Sequence, residues 1–315
     1  MIEIKNLSVR YRAENGYANA VDNIDLKIDK GIIFGLVGES GSGKTTLGLS
    51  LLRILPPSAE IISGNIIISG VDILKLEESE MRKWRGKRIS MVFQGAMNSL
   101  NPVINIEKQV AEPLIIHENI SEEEALKIAR KKLAMLGLGE NVWKRYPHEL
   151  SGGMKQRVVI AMAIISNPEI LIADEPTTAL DVVTQNKIMK LIKALQREEN
   201  LTTILISHDL PIVSEVADRI AIMYGGKICE VGDNFDILSN SKHPYTIGLL
   251  SSIPDPKSTK EIKGIPGEPI SLINPPSGCR FYDRCPFAKD SCKLYNYSPV
   301  IMERDHYVYC TLYGE

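Results

Sequence analysis

Apolar and polar positions alternate near the start of the chain. Ile2, Ile4 and Leu7, then Val21, Ile24, Leu26 and Ile28, fall on roughly alternating faces, which predicts antiparallel strands over residues 1–30. Residues 10–19 between them are polar and carry Tyr11 and Tyr17. The unbroken apolar run at 31–37 predicts a buried strand, and 44–55 predicts a helix closed by Pro56-Pro57. Two short strand runs follow at 60–74, broken by Ser63-Gly64-Asn65 and Ser69-Gly70, and another buried strand at 89–93.

The pattern changes over residues 98–166. Ser121 followed by Glu122, Glu123 and Glu124 is a capped helix start. Ala125, Ile128, Ala129, Leu133 and Leu136 then recur at helical spacing, and Gly137 is the expected stop. A second helix is predicted at 151–165, so this segment is expected to be a mostly helical insertion. Strand and helix alternate again afterwards: strands at 170–173, 203–207 and 219–223, a helix at 182–198, and a short one from Pro211. Gly225-Gly226 turns the chain into a last strand at 227–231. Alternating βα units imply a largely parallel sheet.

Composition narrows the class. The 315 residues are 44% hydrophobic, with 37 basic against 39 acidic side chains. A near-neutral chain lacks the basic footprint of a nucleic-acid-binding domain. No run reaches the roughly eighteen apolar residues of a membrane span, and the start lacks a signal-peptide layout, so a cytoplasmic location is expected. After about Asn240 six prolines fall between Pro254 and Pro276 and periodicity fades, yet four of the five cysteines lie beyond them.

Chemistry concentrates in Gly38-Glu39-Ser40-Gly41-Ser42-Gly43-Lys44-Thr45-Thr46, set between the strand at 31–37 and the helix from 44. A glycine loop in that context turns its N–H groups, and the positive end of the helix, toward phosphate oxygens. Lys44 is then expected on the β- and γ-phosphates and the Thr45 hydroxyl on Mg²⁺. Asp174, at the end of the strand from 170, is the expected second Mg²⁺ ligand, and Glu175 a candidate general base for water. Ser151, Gly152 and Gly153 form a second helix start suited to an anion.

In this order the motifs resemble the ATP-binding cassette (ABC) ATPases over residues 1–240. Residues 38–45 look like Walker A, Gln94 the Q-loop, residues 150–156 the signature, and Asp174 and Glu175 Walker B with its catalytic glutamate. Ala179-Leu180-Asp181 looks like the D-loop, and Ser207-His208-Asp209 the switch histidine. The resemblance implies an α/β fold: a P-loop ATPase core with an antiparallel β-subdomain, a helical subdomain inserted at about 98–166, and a small Cys-rich C-terminal extension at 241–315. It implies ATP held between two subunits, the loop of one facing the signature of the other. Hydrolysis falls to Glu175 aided by His208, while Gln94 contacts the metal, senses the γ-phosphate and links it to the membrane partner. Tyr11 is expected to stack on adenine, with Tyr17 the alternative.

Residues 93–102, Tyr146-Pro147-His148-Glu149 and His243-Pro244-Tyr245-Thr246 resemble the oligopeptide/dipeptide importer branch, although Gly95 departs from its usual acid. The branch implies a second ATPase subunit, expected to be a different chain, two transmembrane permeases and, indirectly, an extracellular solute-binding protein. It places the chain peripherally on the cytoplasmic face of the membrane. Cys279, Cys285, Cys292 and Cys310 end the extension. Disulfides are disfavoured in a reducing compartment. Zinc usually takes a closer cysteine pair, and wider gaps suit an iron–sulfur cluster; the resemblance favours [4Fe-4S], with zinc and unligated thiols the alternatives. Cys229 is read as a separate buried thiol. The competing function is a soluble ABC ATPase acting on ribosomes or nucleic acid, which the neutral charge opposes. A non-catalytic cassette is opposed by Lys44, Asp174, Glu175 and His208 all being in place.

Overall fold

The computed structural model describes residues 1–253 and 264–314; Pro254 and Pro256, the first two of the six prolines, lie outside the described residues. The chain forms two compact units, Met1–Leu76 with Ile206–Glu315, and Glu77–Leu205.

The first unit opens with β1 (Ile2–Ala13) and β2 (Gly16–Ile28), then β3 (Ile33–Val37), α1 (Lys44–Leu52), β4 (Ala59–Ile68) and β5 (Val71–Asp72). β1 and β2 pair antiparallel from Ile2↔Ile28 to Ala13↔Gly16, so the polar stretch 10–19 is the outer end of one hairpin. β4 and β5 complete an antiparallel sheet in the order β2-β1-β4-β5. Ile2, Ile4, Leu7 and Val9 turn inward and are almost fully buried, each worth about 1.5–3 kcal/mol of apolar burial. α1 stops at Leu52, ahead of the prolines. Arg53 takes a left-handed conformation (φ 52) and returns its N–H to the Leu49 and Ser50 carbonyls, closing the last turn.

The second unit holds α2 (Glu78–Trp84), β6 (Ile89–Val92), α3 (Ile106–Glu118), α4 (Glu122–Met135), α5 (Glu140–Trp143), α6 (Gly152–Ile164), β7 (Ile170–Asp174) and α7 (Val182–Glu199), and β8 (Thr202–Ser207) leads out of it. β6 and β7 pair parallel. Ser121 caps α4 by accepting from the Glu124 N–H at 3.4 Å. Ala125, Ala129 and Leu133 form its buried stripe. Glu107, nearly buried on α3, pairs with Arg130 of α4 at 2.7 Å and ties the two helices.

The chain returns to the first unit with α8 (Leu210–Ser214), β9 (Arg219–Tyr224), β10 (Lys227–Asp233), α9 (Asn234–Ser239), α10 (Pro244–Ser251), β11 (Val300–Ile301) and β12 (Tyr307–Val308). Within this unit five strands lie in the order β11-β12-β10-β9-β3. β3 and β9 are parallel. β9 and β10 form a hairpin whose turn residues, Gly225 (φ 56) and Gly226 (φ 81), both need the left-handed region. The C-terminal stretch is thus built into the sheet. Its hydrophobic periodicity fades because its described residues are held by short strands, α10, short 3-10 turns and side-chain bonds.

Candidate nucleotide-binding site

In the first unit the loop joining β3 to α1 is fixed by close backbone approach. A Cβ on Gly38 would stand 2.0 Å from the Met223 carbonyl oxygen. One on Gly43, where φ is 102, would stand 2.0 Å from that of Ala20. Lys44 is 5% exposed. Its ammonium donates to the carbonyls of Gly38 at 2.7 Å and Glu39 at 2.8 Å, and to Ser42 Oγ at 3.3 Å. α1 has no side-chain cap and no acid in its first turn, so nothing on the helix itself offsets its positive end. Ser40, Gly41 and Thr45 are exposed, and Thr46 Oγ1 lies 3.2 Å from Tyr11 Oη. Tyr17, by contrast, lies under the Arg10 guanidinium at 4.0 Å. His208 is exposed just past β8, and Asp209 caps α8 by accepting from the Ile212 N–H at 3.0 Å.

In the second unit β7 is buried along its length and ends at Asp174, 1% exposed. Glu175 follows with φ 45, a left-handed conformation that a glutamate rarely takes. One of its carboxylate oxygens accepts from the Gln94 amide at 3.1 Å and from the Thr178 hydroxyl at 2.9 Å. Gln94 and Glu175 are therefore brought together. Thr178 is an addition the sequence did not point to, and its only sequence signal was its position three residues on. Ser151 caps α6 by accepting from the Met154 N–H at 3.4 Å. A Cβ on Gly153 would fall 2.5 Å from Thr184 Cγ2, so this glycine admits the start of α7. Asp181 caps α7, bonding the Thr184 hydroxyl at 2.7 Å and the Thr184 N–H at 3.0 Å. The hydroxyl bond first, then the N–H, lowers its carboxyl pKa.

The four C-terminal cysteines are free thiols in one neighbourhood of the first unit. The Cys279 N–H donates to the Cys292 carbonyl at 2.8 Å, and Cys292 Sγ lies 3.2 Å from Thr311 Oγ1. Burial pushes the Cys279 thiol up to about 12, and charge on Cys292, Cys310 or Cys285 would oppose its ionisation further. Burial raises Cys285 and Cys310 in the same way, with neighbouring thiols adding to it. Cys229, read as separate, belongs to this neighbourhood: burial raises its pKa first, and Cys279 and Cys310 add to the effect. The Tyr309 N–H also donates to its carbonyl at 2.9 Å, because β12 lies along β10. Among the described residues no group of three or more His, Cys, Asp or Glu is arranged to hold a metal ion. The zinc alternative therefore has no support in the structure, and a preformed iron–sulfur site has none either.

A buried lysine inside a glycine loop between strand and helix places the chain in the P-loop nucleotide-binding class. Comparison with known proteins narrows this. The ABC transporter family matches residues 21–178, and the oligopeptide/dipeptide transporter C-terminal region matches 229–292. The chain is 43% identical to the dipeptide transport ATP-binding protein DppD of Bacillus subtilis, over 99% of this chain and 94% of that protein. It is 44% identical to the oligopeptide transport ATP-binding protein OppD of the same organism, over 91% and 82%. It is 41% identical to DppD of Caldanaerobacter subterraneus, over 100% and 98%. A solved dimer of the ATP-binding cassette MJ0796, in a post-hydrolysis state with ADP and Pi, is 33% identical with a TM-score of 0.66, covering 74% of this chain and 99% of that one. The chain belongs to the ABC transporter ATP-binding proteins, in the oligopeptide/dipeptide branch. The ribosome or nucleic-acid alternative is not supported, since these relatives are named for peptide transport. Among the described residues no helix is long and apolar enough to cross a membrane.

Proposed function

We propose that the chain is the ATP-hydrolysing subunit of an importer for peptides or similar solutes. The observation that carries the reading is the Glu175 carboxylate, held by Gln94 and Thr178 in the residue after the buried Asp174. Loop N–H groups other than that of Glu39, which is held by Tyr245, and the Lys44 ammonium bind the phosphates of ATP. Tyr11, whose hydroxyl already lies against Thr46 in the helix that follows the loop, stacks on adenine. The Thr45 hydroxyl, the Asp174 carboxylate and Gln94 are the oxygen donors suited to Mg²⁺, which supplies charge neutralisation between the phosphates. Glu175 accepts a proton from the attacking water, Gln94 orients that water, and His208 stabilises the charge that develops on the phosphoryl group.

The site is completed by a second ATPase subunit whose Ser151, Gly152 and Gly153 counterparts close on the phosphates. Two permeases receive the motion, a solute-binding protein acts through them, and the chain sits peripherally on the cytoplasmic face. In this reading residues 1–240 are the nucleotide-binding domain, with its helical part at 98–166, and 241–315 the extension. The extension's Cys279, Cys285, Cys292 and Cys310 hold a [4Fe-4S] cluster. What supports it is the gathering of four cysteines in the last 37 residues, with gaps wider than a zinc pair takes. Such a cluster, when bound, would be held by these four thiolates.

The test is reconstitution of the chain in vesicles with its permeases and companion ATPase. ATP turnover stimulated by peptide-loaded binding protein, and peptide accumulation that stops without ATP, are expected. Turnover indifferent to the permeases would overturn the importer reading.

A further inference from the structure

The C-terminal extension touches the phosphate loop at Glu39. All contacts involved lie inside the first unit. The Glu39 carboxylate accepts from Arg284 through both terminal nitrogens, at 2.7 and 3.0 Å. The Glu39 N–H donates to the Tyr245 hydroxyl at 2.9 Å. The Glu39 carbonyl accepts from the Lys44 ammonium at 2.8 Å and from the Ser42 N–H at 3.2 Å. Each polar group of this residue is thereby held. The extension grips two of them, and the phosphate-binding lysine and its loop grip the third.

The grip is itself anchored. Arg284 is 6% exposed at its side chain. It also donates to the Pro266 carbonyl at 2.8 Å, and its charge lies 5.6 Å from the Tyr224 ring centre. Tyr224, Tyr245 and Phe281 pack together with ring centres 4.7–5.3 Å apart. The Ile270 N–H donates to the Tyr224 hydroxyl at 3.2 Å. The Asn19 N–H donates to the Leu272 carbonyl at 2.9 Å, and Arg280 pairs with Asp22. The Gly226 N–H donates to the Ser42 carbonyl at 3.1 Å, so the β9–β10 turn steadies the loop as well. A cavity of about 210 Å³ is lined by Glu39, Ser40 and Gly41 of the loop and by Pro269 and Ile270 of the extension.

We propose that Arg284 and Tyr245 are positioning residues for ATP: they clamp Glu39 and hold the phosphate loop in its binding shape before nucleotide arrives. This rests on the ATPase reading and deepens it. A glycine-rich loop held in its bound form loses less freedom on binding, which raises affinity. A bidentate guanidinium–carboxylate pair fixes orientation in a way a lysine does not. Neither residue reaches the chemistry at Glu175 in this scheme, so the effect falls on nucleotide affinity.

The test is ATP·Mg²⁺ affinity of the full chain, by calorimetry, together with KM and kcat in the assembled transporter. Arg284→Ala and Glu39→Ala are each expected to weaken ATP binding about tenfold, with KM rising and kcat nearly unchanged. The double variant is expected to match either single one, because both remove the same clamp. Arg284→Lys should recover only part of the loss. Tyr245→Phe, which removes one hydroxyl from an intact ring cluster, should weaken binding about threefold and serves if Arg284→Ala does not fold. Wild-type affinity in a folded Arg284→Ala chain, or additive losses in the double variant, would overturn the clamp. A wild-type chain that binds no ATP would overturn the ATPase reading instead.

Discussion

Acid should loosen the start of α10, and His243 sets the pH at which it does so. His243 caps that helix: its ring Nδ1 accepts from the Tyr245 N–H at 3.1 Å, and its backbone N–H donates to Glu230 Oε2 at 3.1 Å. The ring is 2% exposed, 6.0 Å from the Phe281 ring. Burial lowers its pKa from 6.5 to about 4, and the nearby Glu230 carboxylate opposes this only in part. A protonated ring would also lose the lone pair that accepts from Tyr245. Between these two pKa values the unfolded chain binds more protons than the folded one, so stability falls as pH drops from 6.5 towards 4. The full difference, at about 1.4 kcal/mol per pH decade, is about 3 kcal/mol, of which about 2 kcal/mol is lost by pH 5. Urea unfolding at pH 7.5, 6 and 5, with hydrogen exchange over residues 243–251, reads this directly. His243→Asn keeps a good helix cap that does not titrate. Its stability should start lower at pH 7.5 and fall by about 2 kcal/mol less on going to pH 5. Parallel pH profiles for the two proteins would refute the reasoning.

Three further outcomes are expected. Glu175→Gln should retain ATP while turnover in the assembled transporter falls about 100-fold or more, and single-turnover measurements would show a normal burst if Glu175 had another role. Gly43→Ala forces a side chain against the Ala20 carbonyl at φ 102, so it should lose nucleotide binding and destabilise the first unit by about 1–3 kcal/mol; thermal melting with and without ATP checks both. Cys279→Ser should lose iron and visible absorbance on anaerobic purification and lower the melting temperature, whereas full stability with an unchanged spectrum would remove the cluster.

The phosphate loop was legible because its spacing is dictated by backbone geometry. Gly38 and Gly43 are glycine because carbonyls stand where a Cβ would go, and that requirement leaves a fixed pattern in sequence. Ser151 and Ser121 were legible for a related reason, since a cap needs a short oxygen side chain at one defined position. The end of α1 was not. Arg53 makes the left-handed cap where a glycine would have signalled it, so the prolines drew the predicted end three residues too far. The hairpin end at 10–19 was obscured because its polar residues belong to a ribbon that is half-buried or exposed throughout, with no buried face to mark the strands.

The clamp on Glu39 was invisible for a different reason. Glu39 and Arg284 are 245 positions apart, and neither residue type announces a partner. Arg284 stands beside Cys285, where attention goes to the thiol, and Glu39 occupies a place in the glycine loop where the motif accepts any residue. A variable motif position is usually free because its side chain points at nothing. Here it is the handle by which a later segment holds the loop. Substitutions around Pro266, Tyr245 or Phe281, remote in sequence from every nucleotide motif, should therefore alter ATP affinity through Glu39. The conformation of the phosphate loop is set by parts of the chain far from the motif as well as by the β3–α1 connection itself: the Ala20 carbonyl of β2, the Met223 carbonyl of β9, the β9–β10 turn and the C-terminal extension.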